Sequence, residues 1–312
     1  MLILSPVAQR YFEVIRRYHL PGLSVVVAKD VAEARRWLDN CNIVFGRPDL
    51  IRLILPDLKR LEWVQSTYAG VRALLDPASR QDYLLTNLGA LYGPVMTEYV
   101  FCHLLMHERR ALERYHAQRR SVWDSTVPGT LRGKLMGLMG VGKIGSRIAQ
   151  TAKHLGLRTR GYTRISSGCE FIDAYCHGEE WLLPFAEGLD YVVCTLPDTP
   201  ETKGLIDAAF LEALPSRAVL LNIGRGGVVD EAALVEALEG GSIAKAVLDV
   251  VQEEPLPASH PLWTTPNLHL TFHTAAPDSD YPAQLVAIFL QNYQRFVHGW
   301  PLEHRVSFGG AY

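Results

Sequence analysis

Short apolar runs alternate with amphipathic segments along the chain, and this alternation predicts an α/β protein. In the first half, apolar residues recur with helical spacing over Val7–Tyr18 and Val31–Leu38. The runs between them are apolar throughout, which is typical of strands buried in a parallel sheet. The predicted strands of this half are Leu2–Leu4, Leu23–Val27, Ile43–Phe45, Trp63–Gln65 and Tyr83–Thr86.

The second half repeats this alternation. Gly93-Pro94 suits a helix start, and because neither residue type recurs before Arg119, we predict one continuous helix over Val95–Arg119. Later helices are predicted to begin near Lys143, Asp207 and Asp230, and aspartate is a favoured N-cap residue. The predicted strands of this half are Leu135–Met139, Arg158–Tyr162, Tyr191–Thr195, Val219–Ile223, Ala246–Val250 and Leu268–Thr271.

Two α/β halves predict two domains, each with a parallel sheet. The first domain is predicted to comprise residues 1–93 together with about 282–312, and the second to comprise residues 94–281. The last amphipathic segment, Pro282–Val297, is assigned to the first domain because the two ends of a chain often lie close together.

Composition narrows the class of protein. Of the 312 residues, 48% are hydrophobic and 21% are charged, which is ordinary for a globular protein. The net charge of −2 argues against a nucleic-acid or membrane surface, and no apolar stretch approaches the ~20 residues that span a bilayer. Met1–Pro6 lacks the basic segment of a secretion signal. Five cysteines without a C-x-x-C pair fit reduced thiols, so we expect a cytoplasmic protein.

The stretch Gly140-Val141-Gly142-Lys143-Ile144-Gly145 reads G-x-G-x-x-G and follows the predicted strand Leu135–Met139. In a dinucleotide-binding turn, the first glycine permits the turn, the second lets a pyrophosphate approach the backbone, and the third lets helix and strand pack closely. Free N–H groups at the helix start then face the negative charge. The loop residues Gly140, Gly142, Lys143, Ile144 and Gly145 are therefore predicted to bind a dinucleotide.

A phosphate-binding loop of the Walker A type is the competing interpretation of the same stretch. Gly137, Gly142 and Lys143 match its spacing, but the next residue is Ile144. A Walker A loop needs a serine or threonine hydroxyl there to bind Mg²⁺. Phosphoryl transfer is therefore rejected.

Thr163 and Arg164 follow the next predicted strand, where an NAD-binding fold places an acid on the ribose 2′-hydroxyl. An arginine offers a planar pair of donors to a phosphate, and no carboxylate stands nearby to repel one. Thr163 and Arg164 are therefore predicted to bind a 2′-phosphate. NADP(H) is the preferred cofactor of this prediction, and NAD(H) is the alternative.

Three polar side chains follow three later strands of the predicted sheet. Arg225 lies in Asn222-Ile-Gly-Arg-Gly-Gly227, Glu254 follows Asp249, and His273 follows Leu268–Thr271. Because ligands bind at the carboxyl ends of parallel strands, we expect these three side chains at one edge. A cation, an acid–base histidine and a carboxylate that orients it form the set needed for carbonyl reduction.

Other groupings of reactive side chains give weaker signals. His103 and His107 have the spacing of two metal ligands on one helix face, but no H-E-x-x-H pattern is present. Cys169, Cys176 and His177 fall in a predicted loop. No metal site is predicted.

With these residues assembled, the chain resembles the D-2-hydroxyacid dehydrogenase family, and most of all its bacterial NADP-dependent glyoxylate/hydroxypyruvate reductases. The resemblance covers nearly the whole chain. It is carried by Tyr68–Val71, Gly93–Glu98, the glycine loop, Leu196–Thr202, Asn222–Gly227, Leu248–Pro255 and His273–Ala276.

This resemblance implies a flavodoxin-like substrate domain, a Rossmann cofactor domain and a homodimer whose arm lies near Trp123. It implies catalytic roles for Arg225, Glu254 and His273, and substrate-carboxylate binding by Arg225 and by the amides around Ala69 and Gly70. Leu196, Pro197, Thr202, Ile223, Gly224 and Asp249 match cofactor-lining positions. One departure is Phe272, where the family often has proline before the histidine.

The activity that the resemblance implies is reduction of a small 2-oxo acid to a D-2-hydroxy acid with NADPH. Formate oxidation is disfavoured, since formate dehydrogenases of this superfamily carry glutamine where this chain has Glu254. Phosphite oxidation, another D-2-hydroxyacid dehydrogenase activity and a non-catalytic cofactor-sensing role remain as alternatives. The same residue types serve each of them.

Overall fold

The computed structural model describes residues 1–18, 20, 22–164, 167–276 and 281–308. The chain divides into two compact units, one of Met1–Leu91 with Asp278–Tyr312 and one of Tyr92–Pro277. Each unit is built around its own parallel sheet, so the predicted α/β class with two parallel sheets is confirmed. Within these residues, no helix has both the length and the apolar character needed to span a membrane.

The first unit contains a five-stranded sheet in the order β2-β1-β3-β4-β5. This is the strand order of flavodoxin-like folds. Its strands are β1 (Leu2–Leu4), β2 (Val26–Ala28), β3 (Ile43–Gly46), β4 (Trp63–Ser66) and β5 (Leu84–Thr86), and its helices are α1 (Ala8–Ile15), α2 (Val31–Ala34), α3 (Pro48–Ile54) and, from the end of the chain, α10 (Tyr281–Val297).

Helix α10 packs against the sheet of the first unit through aromatic contacts. The ring of Phe289 stacks on Trp63, with 5.3 Å between centroids, and lies 5.2 Å from Phe45. Phe45 also contacts Tyr11 edge-on at 5.2 Å. Phe45 is therefore a fully buried core residue.

The second unit contains a seven-stranded sheet in the order β12-β11-β10-β9-β6-β7-β8. The chain runs outward from β6 to β8 and then resumes at β9 on the other side of β6, which creates a topological switch point between β6 and β9. The strands are β6 (Leu135–Met139), β7 (Arg158–Tyr162), β8 (Ala174–Cys176), β9 (Tyr191–Cys194), β10 (Val219–Asn222), β11 (Lys245–Leu248) and β12 (Leu268–Leu270). The helices are α4 (Gly93–Glu108), α5 (Ala111–Arg119), α6 (Lys143–His154), α7 (Leu182–Ala186), α8 (Ala208–Ala213) and α9 (Glu231–Glu239).

The register of this sheet aligns the carboxyl ends of its strands. Seven residues form one row across the edge: Cys176, Tyr162, Met139, Cys194, Asn222, Leu248 and Leu270. The residues that directly follow this row are the ones that can meet a ligand at the edge of the sheet.

Two helix starts predicted from the sequence are capped as expected. The Asp207 carboxylate accepts the Phe210 N–H at 2.9 Å, and the Asp230 carboxylate accepts the N–H groups of Ala232 and Ala233. Each cap satisfies donors that the first turn of a helix leaves free.

The prediction of one continuous helix over Val95–Arg119 is wrong, because the chain breaks it into α4 and α5. Arg110 lies between them in the left-handed region, with φ of 53°. The end of α4 is fixed by Glu108, whose buried carboxylate accepts Lys134 Nζ at 2.5 Å and Tyr191 Oη at 2.7 Å. These contacts come from distant parts of the chain, so the local sequence pattern could not predict the break.

Among the strands and α-helices of the described residues, three were missed. Strand β8 was expected to be a loop, and it holds Cys176 at the edge of the sheet, where one side of a strand lacks a partner and the apolar pattern weakens. The short helices α3 and α7 were also not predicted, since each is under three turns and gives little periodic signal.

Candidate active site

The glycine loop has the strand–turn–helix form that its sequence predicted. It joins β6 to α6, with Gly140 at φ of 93° and Gly142 as the N-cap residue in extended conformation. Only glycine adopts the Gly140 angle without strain. The loop therefore places the amino end of α6 at the switch point between β6 and β9.

The glycines leave room for a dinucleotide in front of the helix. A Cβ atom added at Gly145 would lie 2.2 Å from the Gly140 carbonyl oxygen, so this glycine is needed for the turn itself. A Cβ at Gly142 would meet nothing within 4 Å, so the space before this residue is open. Open space at the N-terminus of a twelve-residue helix fits a pyrophosphate.

The loop after β9 packs directly beside the glycine loop. Thr195 Oγ1 donates to the Gly140 carbonyl oxygen at 3.0 Å. This hydrogen bond was not predicted from the sequence. Leu196 approaches Gly140 and also Gly224, where an added Cβ would lie 2.6 Å from the Leu196 carbonyl oxygen. Thr202 Oγ1 donates to the Pro197 carbonyl oxygen at 2.6 Å and so closes its own loop. The structure thus brings Leu196 to the glycine loop and Gly224 to Leu196.

Thr163 and Arg164 follow β7, the strand beside β6. Thr163 is buried, with Oγ1 3.2 Å from His177 Nδ1, while Arg164 is exposed. The pKa of the Glu201 carboxyl is lowered mainly by the Thr199 hydroxyl and in smaller part by the charge of Arg164. Arg164 therefore adds positive electrostatic potential near Glu201, in the loop after β9.

Arg225 stands in a loop that is shaped by Asn222, the last residue of β10. The Asn222 amide accepts the Gly224 N–H at 3.1 Å and donates to the Arg225 carbonyl oxygen at 2.9 Å. Asn222 is fully buried, and its side chain was not assigned a role from the sequence. The Arg225 side chain is exposed, and its Nη1 donates to the Gly224 carbonyl oxygen at 2.6 Å.

The Arg225 loop lies against the segment that leads to Glu254. A Cβ added at Gly226 would lie 2.0 Å from the Val251 carbonyl carbon. Only a residue without a side chain allows these two loops to approach so closely. Ile223, which precedes the loop, is buried in the sheet edge.

Glu254 and His273 form a direct pair. His273 Nδ1 lies 2.7 Å from Glu254 Oε2, and Glu254 Oε1 accepts the Val251 N–H at 3.2 Å. Because an ionised carboxylate only accepts hydrogen bonds, Nδ1 carries the proton of this contact. The opposite ring nitrogen, Nε2, is then the one available to a substrate.

Asp249 holds the loop that carries His273. Its carboxylate accepts Thr271 Oγ1 at 2.8 Å and the N–H groups of Thr274 and Ala275 at 2.8 and 3.1 Å. Its carbonyl oxygen accepts the His273 N–H at 2.6 Å. Asp249 is only 4% exposed, so its side chain is committed to this loop in addition to the cofactor-lining position that the resemblance implies.

Phe272 and His273 both have left-handed backbone angles, with φ of 58° and 59°. A proline ring fixes φ near −65°, so the proline that the family often has at position 272 does not fit this turn. The Phe272 ring lies 5.6 Å from the Trp263 ring, between centroids, and both are exposed. Phe272 therefore allows a backbone angle that proline would not, and it adds an aromatic surface beside His273.

In the first unit, the turn at Ala69 and Gly70 follows strand β4. Ser66 Oγ donates to the Tyr68 carbonyl oxygen at 2.7 Å, and Asn87 Nδ2 donates to the Ala69 carbonyl oxygen at 2.9 Å. These contacts fix the turn at the carboxyl edge of the five-stranded sheet.

His103 and His107 lie on α4, and His103 belongs to an aromatic cluster. Its ring centroid lies 4.4 Å from that of Tyr99 and 5.0 Å from that of His269. Burial, with a further contribution from His269, lowers the pKa of His103 to about 4. No group of three histidine, cysteine or acidic residues that could hold a metal occurs in the described ranges, and all five cysteines are free thiols.

Comparison with known proteins agrees with this geometry. Residues 101–275 match the family model for the D-isomer specific 2-hydroxyacid dehydrogenase, NAD binding domain. A glyoxylate/hydroxypyruvate reductase A of Photorhabdus laumondii is 35% identical over 215 residues, which cover 67% of this chain and 68% of that protein.

Solved structures give the same result. A D-isomer specific 2-hydroxyacid dehydrogenase family protein of Aeromonas salmonicida has a TM-score of 0.89 and 36% identity over 98% of both chains. An NADPH-dependent glyoxylate/hydroxypyruvate reductase of Sinorhizobium meliloti, in complex with NADP and sulfate, has a TM-score of 0.85 and 28% identity over 100% of this chain and 99% of that one. The chain therefore belongs to the D-isomer specific 2-hydroxyacid dehydrogenase family, and it is an NAD(P)-dependent oxidoreductase.

Proposed function

We propose that this enzyme reduces small 2-oxo acids of the glyoxylate and hydroxypyruvate type to D-2-hydroxy acids and prefers NADPH as reductant. The observation that carries the proposal is the contact of 2.7 Å between His273 Nδ1 and Glu254 Oε2 at the carboxyl edge of a dinucleotide-binding sheet. This pairing fixes one ring nitrogen and leaves Nε2 to exchange a proton with substrate.

In this proposal His273 is the general acid. Nε2 donates a proton to the oxygen that gains negative charge as the carbonyl is reduced. The donor is the imidazolium form, which carries a proton on both ring nitrogens, and Glu254 accepts the Nδ1 proton and so orients the ring for donation from Nε2. Arg225 pairs with the substrate carboxylate and the carbonyl oxygen, because a guanidinium presents two parallel donors. The amides of the Ala69–Gly70 turn, in the first unit, are a separate candidate for binding a carboxylate.

The second unit is proposed to hold the cofactor and the first to be the substrate domain. When bound, the reduced nicotinamide supplies the hydride. Three sets of residues would hold the dinucleotide. Thr163 and Arg164 would bind the ribose 2′-phosphate, and the pyrophosphate would lie against Gly140, Gly142, Lys143, Ile144 and Gly145. The rest of the dinucleotide would be lined by Leu196, Pro197, Thr202, Ile223, Gly224 and Asp249. The exposed Arg164 beside a crevice with open space at Gly142 supports this assignment.

The names of similar proteins support the same substrates and cofactor. The Photorhabdus relative is a glyoxylate/hydroxypyruvate reductase, and the Sinorhizobium enzyme is NADPH-dependent. We extend both properties to this chain. The cytoplasm is its proposed location, since five free thiols suit a reducing compartment.

A homodimer is the proposed assembly. Trp123 and Val127 are 93% and 87% exposed in the segment after α5. A second copy of the chain would cover them. Light scattering of the purified protein measures its mass directly.

A panel assay tests the proposed reaction. Purified protein is mixed with NADPH or NADH and with glyoxylate, hydroxypyruvate, pyruvate or a larger 2-oxo acid, and loss of absorbance of the reduced cofactor is followed. Phosphite oxidation, the rival activity, is assayed separately with NADP⁺ and phosphite as a gain of NADPH absorbance. The highest kcat/KM is expected with glyoxylate or hydroxypyruvate and NADPH. Turnover with phosphite alone, or no turnover with any acid, would reject the proposal.

A further inference from the structure

A relay of three side chains links helix α4 to the loop that carries His273. Tyr99 Oη lies 2.6 Å from Thr271 Oγ1, and Thr271 Oγ1 donates to Asp249 Oδ1 at 2.8 Å. The Asp249 carboxylate also accepts the N–H groups of Thr274 and Ala275. The relay therefore contacts the chain on both sides of His273.

The chemistry of the three groups fixes the direction of each hydrogen bond. A threonine hydroxyl has one hydrogen, and an ionised carboxylate only accepts. The Thr271 hydrogen is used on Asp249, so the Tyr99 hydroxyl must donate to Thr271. Burial raises the pKa of the Tyr99 phenol and outweighs the opposing effect of the Thr271 contact, so the phenol keeps the proton that it donates.

The loop needs such support because its backbone is strained. Phe272 and His273 are consecutive residues in the left-handed region, which bulky side chains rarely adopt. Conformations of this kind persist only when surrounding contacts determine them. Here the determining contacts are the hydrogen bonds to Asp249, and the Tyr99 hydroxyl adds a hydrogen bond to Thr271.

The Tyr99 ring is itself held in place. Its centroid lies 4.4 Å from that of His103, and the His103 ring meets His269 edge-on at 5.0 Å. His269 belongs to β12, the strand that leads into the His273 loop. Helix α4 is thereby joined to the end of β12 by ring packing as well as by the hydroxyl.

We propose that Tyr99 is a positioning residue for His273, acting through Thr271 and Asp249 to keep the imidazole on Glu254 with Nε2 toward the substrate. The inference rests on the proposed function, in which His273 donates the proton. Tyr99 itself does not take part in the chemistry.

The Tyr99→Phe variant tests this role by removing only the hydroxyl. We expect kcat with NADPH and glyoxylate to be about three- to tenfold lower, with KM for glyoxylate within about twofold, because one hydrogen bond that orients the acid is lost. Tyr191→Phe is the matched control. Its buried hydroxyl donates to Glu108 at the opposite end of the sheet, so it should lose stability and keep wild-type kcat. Wild-type kcat in Tyr99→Phe, or an equal loss in Tyr191→Phe, would overturn the inference.

Substitutions at Thr271 test whether the hydroxyl acts through the relay. Thr271→Val keeps the shape and breaks both hydrogen bonds, whereas Thr271→Ser keeps a hydroxyl and should restore most of kcat. In a Thr271→Val background, Tyr99→Phe should cause no further loss, because the two changes remove the same interaction. Additive losses would contradict the relay.

A spectroscopic readout separates this inference from the proposed function. In protein labelled with ¹⁵N-histidine, the ring nitrogens of His273 should change in chemical shift or titration midpoint in Tyr99→Phe, while those of the exposed His154 and His298 stay unchanged. Unchanged His273 signals would overturn the inference. If these signals shift but the wild-type protein reduces no 2-oxo acid, the positioning role stands and the proposed function fails.

Discussion

At the scale of single residues, the site depends on side chains that hold other side chains. Asn222 shapes the Arg225 loop, and Asp249 shapes the His273 loop, each from a buried position at the sheet edge. Arg225 and His273 themselves are exposed. The reactive groups are therefore accessible to ligand, while their precision comes from buried neighbours that the ligand need not touch.

Arg164 is the residue on which the cofactor preference depends. In Arg164→Ala, we expect the ratio of kcat/KM for NADPH to that for NADH to fall about ten- to hundredfold, because hydrogen bonds between charged groups at the 2′-phosphate are lost. Steady-state kinetics with both cofactors measures the ratio. Arg158→Ala, at the opposite end of the same strand, is the matched control and should leave it unchanged. A wild-type preference for NADH would show that the assignment is wrong.

His103 gives a prediction about stability against pH. Its pKa is about 4 in the folded protein against 6.5 for the free side chain. The unfolded chain therefore binds more protons between these values, so the free energy of unfolding should fall as pH drops from about 6.5 toward about 4. His107 and His269, whose pKa values burial also lowers, contribute with the same sign.

Urea unfolding near pH 7 and near pH 5 checks this prediction in the wild type and in His103→Gln. The variant should lose less stability on acidification, since it has one fewer half-buried histidine to protonate. His154→Gln, at an exposed position, should behave as the wild type. Equal pH dependence in wild type and His103→Gln would contradict the account.

At the scale of elements, we expect the six residues of the glycine loop to include one glycine needed for cofactor binding and another needed for folding. Gly142→Ala should keep the free energy of unfolding within about 1 kcal/mol, because the new Cβ meets nothing and only an N-cap preference is lost. It should nevertheless weaken NADPH binding at least about tenfold, since the Cβ occupies the approach of the pyrophosphate. Fluorescence titration with NADPH measures the affinity. An unchanged affinity would show that the pyrophosphate does not bind at this loop.

Gly145→Ala is the contrasting change in the same loop. Its Cβ would lie 2.2 Å from the Gly140 carbonyl oxygen, so the backbone must shift. Overpacking of this kind costs about 1–3 kcal/mol, and urea unfolding should show that loss. If Gly145→Ala were as stable as Gly142→Ala, the close packing of helix and strand would not depend on this glycine.

Elements with strong local patterns were predictable from the sequence, and others were not. Buried runs such as Val219–Asn222 and capped starts such as Asp230 carry their own signal. The break at Arg110 and the edge strand Ala174–Cys176 depend on contacts with distant segments. The class of two parallel sheets followed from the alternation of strand and helix, whereas the order of the strands was not predicted.

At the scale of the whole molecule, the candidate site was predictable as a set of strand ends. Arg225, Glu254 and His273 follow adjacent strands whose register ends in one row, as expected for a parallel sheet. The supporting hydrogen bonds of Thr195, Tyr99 and Thr271 were not predicted, because a hydroxyl that bonds to a distant loop produces no regular spacing in the sequence. The left-handed turn at Phe272 was also invisible, since the sequence offers no glycine there.

The central claim is that His273 supplies the proton in NADPH-dependent reduction of a 2-oxo acid. The most direct measurement is kcat with glyoxylate in His273→Ala, together with the dissociation constant for NADPH and with His298→Ala as a control. The account predicts a loss of about 10²- to 10⁴-fold in kcat with NADPH affinity unchanged, because general acid catalysis contributes factors of this size. A His273→Ala enzyme that keeps kcat within about tenfold of wild type would contradict it.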